Sequence, residues 1–377
     1  MRDVVIVGAG PVGILLACLL AEQGLDVEVL ERRTRPSMQA RAIGIHPPSM
    51  AALRQVGVAA DVLDRAVRIK HGSVQCNGRT LGRLSFDTMA GAYPYVVALP
   101  QHQTEAVLRR RFAALRPGGL RQGVAVGRLW DRGHRVVLLD ENDDTPVAHA
   151  RYVVVADGAR GGLREAAGIR SRSLGGGDTY LMADYPDTGE HGGEAVLFFE
   201  AGGVVESFPL PNNRRRWVAM TPTLQPDASI DDLTALIGTR TGVQLPASEA
   251  TPSAFTVQQR LAETMVQGRV LLVGDAAHEI SPIGGQGMNL GWLDAVALAP
   301  ALKHALAHPG DARATLLAYD RRRRRSARMA ARQAGFNMAM GRPSAGVRLR
   351  ARNAVVRALA VPPLNALLAR AFTMRWL

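Results

Sequence analysis

Asp3-Val4-Val5-Ile6-Val7-Gly8-Ala9-Gly10-Pro11-Val12-Gly13 opens the chain, and its reading decides the fold. Asp3 to Val7 reads as a short buried strand, and Ile14 to Gln23 as an apolar helix that Gly24 ends. Val27 to Leu30 forms a second strand, closed by Glu31. Strand, glycine-rich turn, helix, strand and terminal acid together are the dinucleotide-binding βαβ unit. Gly8 permits the tight turn, Gly10 lets a pyrophosphate approach the backbone, and Gly13 lets the helix pack closely on the strand. Glu31 is placed to accept a hydrogen bond from a ribose hydroxyl, which favours FAD or NAD over a ribose bearing a 2′-phosphate.

Working outward, the same strand-to-helix logic recurs twice. Arg151 to Val155 is a buried strand that ends in Ala156-Asp157-Gly158-Ala159-Arg160. Arg269 to Val273 is another, and it runs into Gly274-Asp275-Ala276-Ala277-His278-Glu279-Ile280-Ser281-Pro282-Ile283-Gly284-Gly285-Gln286-Gly287-Met288-Asn289 before a helix from Leu290 to Leu306. Asp275 stands where a strand ends and is placed to accept from hydroxyls. Pro282 stiffens the loop, and Gly284, Gly285 and Gly287 let N–H groups approach a flat ligand. The helix that follows turns its positive end to the loop, which suits a ligand carrying or developing negative charge.

Between these units the pattern changes. Residues 69–95 alternate loosely around Gly72, Gly78 and Gly82 and read as hairpins. Strands are expected at Tyr180–Ala183, Ala195–Phe199, Val204–Pro209, Trp217–Met220 and Ala254–Leu261, with a helix over 229–241. One face of that sheet is core and the other is a candidate apolar pocket, for which Met182, Phe198, Phe208, Trp217 and Met220 are the candidates. Ser49 is a plausible N-cap for a helix at 50–56, and Gln103 either caps a helix over 104–115 or faces a ligand. Arg41 is either a surface charge or a phosphate contact. The helix expected at 312–340 carries Arg321 to Arg325 and reads as solvated. The tail, 344–377, is basic and amphipathic. It docks on the protein or lies on a membrane surface, docking being favoured.

A net charge of +13 raises the question of nucleic acid, but the charge is scattered arginine, Lys70 and Lys303 being the only lysines, and no recognition module accompanies it. Cys18 and Cys76 have no metal or redox spacing. The chain enters its first strand without a signal sequence and has no long uncharged apolar run, so a cytoplasmic protein without a spanning helix is expected.

The three motifs in this order resemble the single-component flavoprotein aromatic hydroxylases, the family of para-hydroxybenzoate hydroxylase, over about residues 3–340. The last motif is most similar to the bacterial aromatic-polyketide hydroxylases, without the thioredoxin-like domain those usually carry at their C-terminus. The resemblance implies an α/β fold: a Rossmann-like FAD-binding domain of glutathione reductase type (residues 1–68, 96–176 and 265–343), interrupted by a β-rich substrate domain (69–95 and 177–264). It implies FAD as cofactor and NADH or NADPH as co-substrate. An aromatic or phenolic ring would be hydroxylated by molecular oxygen through a flavin hydroperoxide. Glu31 would hold the adenosine ribose. Arg32, Arg41 and Gln103 would lie along the pyrophosphate and ribityl region with Asp275, and Asp157 would serve FAD, NAD(P)H or the fold. Pro282, Gly284, Gly285, Gly287, Met288 and Asn289 would wrap and position the flavin ring. His278 is expected to be structural rather than a base, with His46 and His102 weaker candidates for a phenol proton. Epoxidation, a reductase or dehydrogenase activity, and a non-catalytic flavoprotein are the alternatives. The isolated tryptophans set a halogenase aside.

Overall fold

The structure, a computed structural model, describes residues 1–37, 42–87, 89–281 and 285–375. Its first sheet is built on parallel strands. Arg2–Val7 lies between Val27–Glu31 and Pro146–Val155, with Leu120–Gln122 beyond the former and Val270–Leu272 beyond the latter. The register sets Val7 opposite both Leu30 and Val155, and Val155 opposite Leu272. The strands therefore end level, and Gly8, Glu31, Asp157 and Asp275 gather along one edge of the sheet. That edge is the crevice where open α/β sheets bind ligands.

The helix Pro11–Glu22 begins at once after the turn because Pro11 occupies its first position, where a missing N–H costs nothing. Its residues Gly13 to Leu20 are all buried, an unbroken run suited to a helix enclosed on every side. Each fully buried Leu or Ile there contributes roughly 1.5–3 kcal/mol. The helix packs on Gln286–Ala307 and Gln101–Leu115. The Trp292 indole N–H donates to the Pro11 carbonyl at 2.9 Å. At Gly291, a Cβ would stand 2.6 Å from Val12 Cγ2 and 2.9 Å from Gly274 Cα, so only glycine permits that crossing.

The second sheet is almost wholly antiparallel. Its strands, in spatial order, are His278–Glu279, Ser253–Ala262, Ser171–Pro186, Arg214–Thr221, Gly203–Leu210, Ala195–Glu200, His71–Cys76 and Arg79–Ser85. Gly175–Gly177, ahead of the strand expected at Tyr180–Ala183, lie inside a single long strand. The strand absorbs them as register shifts, at φ of +117°, +134° and +102°.

Four helix starts fall earlier than expected: Pro11 rather than Ile14, Gln286 rather than Leu290, and two more. Pro47–Gln55 begins at the prolines, with His46 rather than Ser49 at the N-cap. Gln101–Leu115 begins directly after Pro100, which places Gln103 inside the first turn. The arginine run also differs. Arg323 is 2% exposed and is the cation of a buried network, while Arg321, Arg322 and Arg325 are exposed.

The C-terminal helices Gly346–Leu359 and Leu364–Phe372 fold back on the second sheet. Phe372 stacks on Phe86 with ring centroids 5.8 Å apart, and the Arg375 guanidinium donates to the carbonyls of Ala90 and Tyr93. Among the described residues no single helix is long and apolar enough to cross a membrane.

Candidate active site

A cavity of about 790 Å³ runs from the glycine turns of the first sheet to one face of the second. At the first end it is lined by Gly8, Gly10, Pro11, Glu31, Arg32, Asp157, Gly158 and Asp275. The glycines there divide by what they permit. A Cβ on Gly13 would stand 2.1 Å from the Gly8 carbonyl oxygen, and one on Gly8 2.3 Å from that of Ala156. Gly10 has nothing within 4 Å of such a Cβ, so its open side faces the cavity.

Glu31 is buried and already used by the backbone. Its carboxylate accepts from the N–H of Ala9 at 2.8 Å and of Arg33 at 3.0 Å, which fixes the turn. Each oxygen keeps a further lone pair for a ligand. Asp157 Oδ2 accepts from the Leu163 N–H at 3.2 Å, whereas Oδ1 is buried with no hydrogen-bond partner among the described residues. Burial pushes the Asp157 carboxyl up, opposed in part by the Leu163 N–H. Two helices present their N-termini here with no side-chain cap, Pro11–Glu22 behind Gly10 and Gln286–Ala307 behind Gly285. Gly285 is in the left-handed region at φ +65°, and it lines the cavity with Gly287 and Met288. Uncapped first-turn N–H groups favour a bound anion or a ligand that becomes one.

The remaining expected contacts fall elsewhere. Asn289 is buried away from the cavity and works as a brace. Its amide donates to the carbonyls of Gly44 (2.8 Å) and Gly285 (2.6 Å), and its oxygen accepts from the His46 N–H (2.8 Å). Gln103 does not line the cavity, because a helix that starts at Gln101 turns Gln101 and Glu105 inward instead. The Gln101 amide donates to Glu105 at 2.7 Å, and burial pushes the Glu105 carboxyl up. Sequence reading missed this pair, which the i, i+4 spacing behind Pro100 would have given. Arg41, Pro282 and Gly284 lie outside the described residues.

His278 faces the interior and does not line the cavity. It is 1% exposed, and its Nε2 lies 2.5 Å from Asp294 Oδ2. Asp294 also accepts from Arg323 Nε at 2.7 Å and from the Gly274 N–H at 3.1 Å. Burial alone would raise the Asp294 carboxyl, but His278 and Arg323 beside it hold it below the usual carboxylate range. This network fixes, from behind, the turn that presents Asp275.

At its far end the cavity meets the second sheet. Alternation puts Tyr180, Met182, Leu197, Phe199, Glu206, Phe208 and Val218 on the cavity side. Met220 shares that face but lies beneath the lining, beside Gly203. Phe198 and Trp217 are one residue out of phase. They stack on each other on the opposite face, packed with Leu233 and Ile237 of the helix Ile230–Thr241, and so are core rather than pocket. The helices close the top through Phe336, Met340, Val356, Leu359 and Phe372.

The sequence profile of the family described as "FAD binding domain" matches residues 1–334, and the chain belongs to that family, whose cofactor is FAD. It is similar to the 6-methylpretetramide 4-monooxygenase of Streptomyces rimosus, with 34% identity over 313 residues, 79% of this chain and 55% of that protein. The chain thus spans little more than half the length of that relative. Among solved structures it superposes on the p-nitrophenol 4-monooxygenase of Pseudomonas putida DLL-E4 with a TM-score of 0.88 and 25% identity, covering 99% of this chain and 97% of that one. It also superposes on a Diels-Alderase of pyrroindomycin biosynthesis with a TM-score of 0.84 and 26% identity, covering 99% and 80%. The fold is therefore that of the FAD-dependent aromatic hydroxylases.

Proposed function

We propose that the protein is an FAD-dependent monooxygenase that consumes NADH or NADPH and inserts one oxygen atom into an aromatic, phenolic or polycyclic small molecule. The observation that carries this reading is the continuity of the cavity from the dinucleotide turn to an apolar sheet face under the C-terminal helices. The donor set fits FAD: an open cradle at Gly10, two uncapped helix N-termini and the unsatisfied Asp157 Oδ1. Bound FAD supplies the redox chemistry, taking a hydride from the nicotinamide and activating oxygen.

The chain's own residues bind, orient and exclude water. Gly8, Gly10 and the first helix N-terminus take the pyrophosphate, Glu31 the ribose, with Arg32 beside them. Asp275 and Asp157 accept from hydroxyls, Asp157 serving either dinucleotide. Gly285, Gly287 and Met288 bring the second helix N-terminus to the flavin ring, where its N–H groups stabilise negative charge. Residues 69–95 and 177–264 act as the substrate domain, with Met182 and Phe208 against the ring. Their apolar face keeps water from the oxygenating centre. Similarity to a Diels-Alderase favours one second reading, a ring-forming reaction in which the same cavity shapes a polyene without net redox change.

The test is NAD(P)H oxidation by the yellow holoprotein against a panel of phenolic polycycles, with peroxide and product mass followed together. Ligand-stimulated oxidation giving a product one oxygen heavier supports the monooxygenase. Conversion of a polyene without NAD(P)H or oxygen moves the assignment to the second reading.

A further inference from the structure

We propose that the Glu206 carboxyl hydrogen-bonds a hydroxyl or carbonyl oxygen of the aromatic ligand and so selects oxygen-bearing rings. The inference rests on the aromatic-substrate reading above and assigns a specificity residue within that site.

Glu206 is the acid among the residues that the middle strands of the second sheet turn to the cavity. It stands in register between Leu197 on one neighbouring strand and Val218 on the other, and is 5% exposed. Its Oε1 is buried with no hydrogen-bond partner among the described residues. The Tyr180 hydroxyl, on the same face, is likewise buried without one. A buried carboxyl left unpaired is costly to a fold, and a polar group from outside the protein that enters the cavity would complete it.

The charged groups on the elements packed around it are committed elsewhere. Arg216 donates to Asp184 at 2.7 and 3.0 Å, and Arg342 donates to Asp178. Arg352 donates to the Phe199 carbonyl, His71 pairs with Asp87, and Glu200 accepts from the Asn77 N–H. Burial therefore acts on Glu206 unopposed and pushes its carboxyl up to about 8. At neutral pH it is protonated and both donates and accepts. Above that pH it only accepts. Burial raises the Tyr180 hydroxyl, and the Glu206 carboxylate adds to that when ionised, which places the two groups in one electrostatic neighbourhood.

The test uses the FAD-loaded protein and reads ligand binding from the flavin absorbance, with no turnover required. The probes are 2-naphthol, which donates and accepts, 1-tetralone, which only accepts, and naphthalene, which does neither. At pH 7 the wild type is expected to bind both oxygenated probes about tenfold more tightly than naphthalene. Glu206→Leu should remove that preference and leave naphthalene unchanged. Glu206→Gln, whose amide donates and accepts, should keep it. In the wild type, tetralone binding should weaken above about pH 8, while the Glu206→Gln profile stays flat. FAD content and melting temperature establish that each variant is folded. A preference that survives Glu206→Leu, or a loss that falls equally on naphthalene, overturns the inference while leaving the monooxygenase reading intact. If no aromatic probe perturbs the flavin of the wild type, the aromatic reading fails and this inference with it.

Discussion

Asp294→Asn is the substitution that most directly tests how the site is held. The change is nearly isosteric, and it removes the charge that His278 and Arg323 share at 2.5 and 2.7 Å. Asp294 and His278 are fully buried, and Arg323 is 3% exposed at its side chain. The variant therefore leaves a guanidinium without a counter-charge in the interior, a loss of about 3–5 kcal/mol. With an unfolding entropy of about 2.1 cal/mol/K per residue, the chain carries roughly 0.8 kcal/mol/K, so the melting temperature should fall by about 4–6 °C. The pH dependence has a definite sign. Asp294 has a folded pKa below its unfolded value, so its contribution is complete above the unfolded value of about 3.9 and is lost as pH falls through the lower folded one. Melts from pH 8 down to pH 3 should show the wild-type advantage constant near neutrality and shrinking only at the acid end. Replacing the pair with Asp294→Leu and Arg323→Met together should recover much of the loss, because no uncompensated charge then remains. A difference below about 0.5 kcal/mol for Asp294→Asn, the scale of an ordinary surface change, refutes the reasoning. So would a double variant worse than the single.

Gly10→Ala and Gly13→Ala should separate cradle from packing. The apoprotein of Gly10→Ala should melt within about 2 °C of wild type yet retain less FAD, because its methyl enters open space that the ligand needs. Gly13→Ala should lose about 1–3 kcal/mol in the apoprotein itself, since its methyl meets the Gly8 carbonyl; denaturant melts and the flavin-to-protein absorbance ratio check both. Trp217→Ala should cost about 3–5 kcal/mol with ligand affinity unchanged. Phe208→Ala should cost less and alter ligand affinity, as measured by flavin titration. Phe372→Ala, which removes the ring stacked on Phe86 and edge-on to His46, should loosen the cavity roof and raise the peroxide released per NAD(P)H consumed.

What the sequence made legible was local. The first βαβ unit needs only consecutive residues, from the apolar run before Gly8 to the acid at position 31, and the structure holds both strands within a residue of their expected ends while the helix starts three residues early, at Pro11. Helix starts went astray where proline outranked polar capping. Pro47 and Pro100 each set the chain into its turn earlier than Ser49 or Thr104 suggested. The change of period marked a different architecture between the glycine-rich units, and the family resemblance implied the division into a cofactor domain and a second one. The structure adds that His278–Glu279, in the central crossover itself, joins the second sheet at its edge.

The rest was illegible because it depends on what covers each surface. Strand alternation sorts 196–199, 205–208 and 217–220 into two faces without saying which one is walled and which one is filled. That is decided by Leu233 and Ile237, which cover Phe198 and Trp217, and by Val356 and Leu359, which roof the other side without filling it. The same dependence explains the two charged residues that composition hid. An acid in a half-buried strand reads as solvent-facing, and an arginine within a run of arginines reads as solvated. Glu206 becomes a cavity group only once the C-terminal helices close over its strand. Arg323 becomes an anchor only because Asp294, on the preceding helix, meets it across the packed pair. One of these side chains is satisfied by the fold and the other is not, and that difference makes Arg323 architecture and Glu206 a place for a ligand.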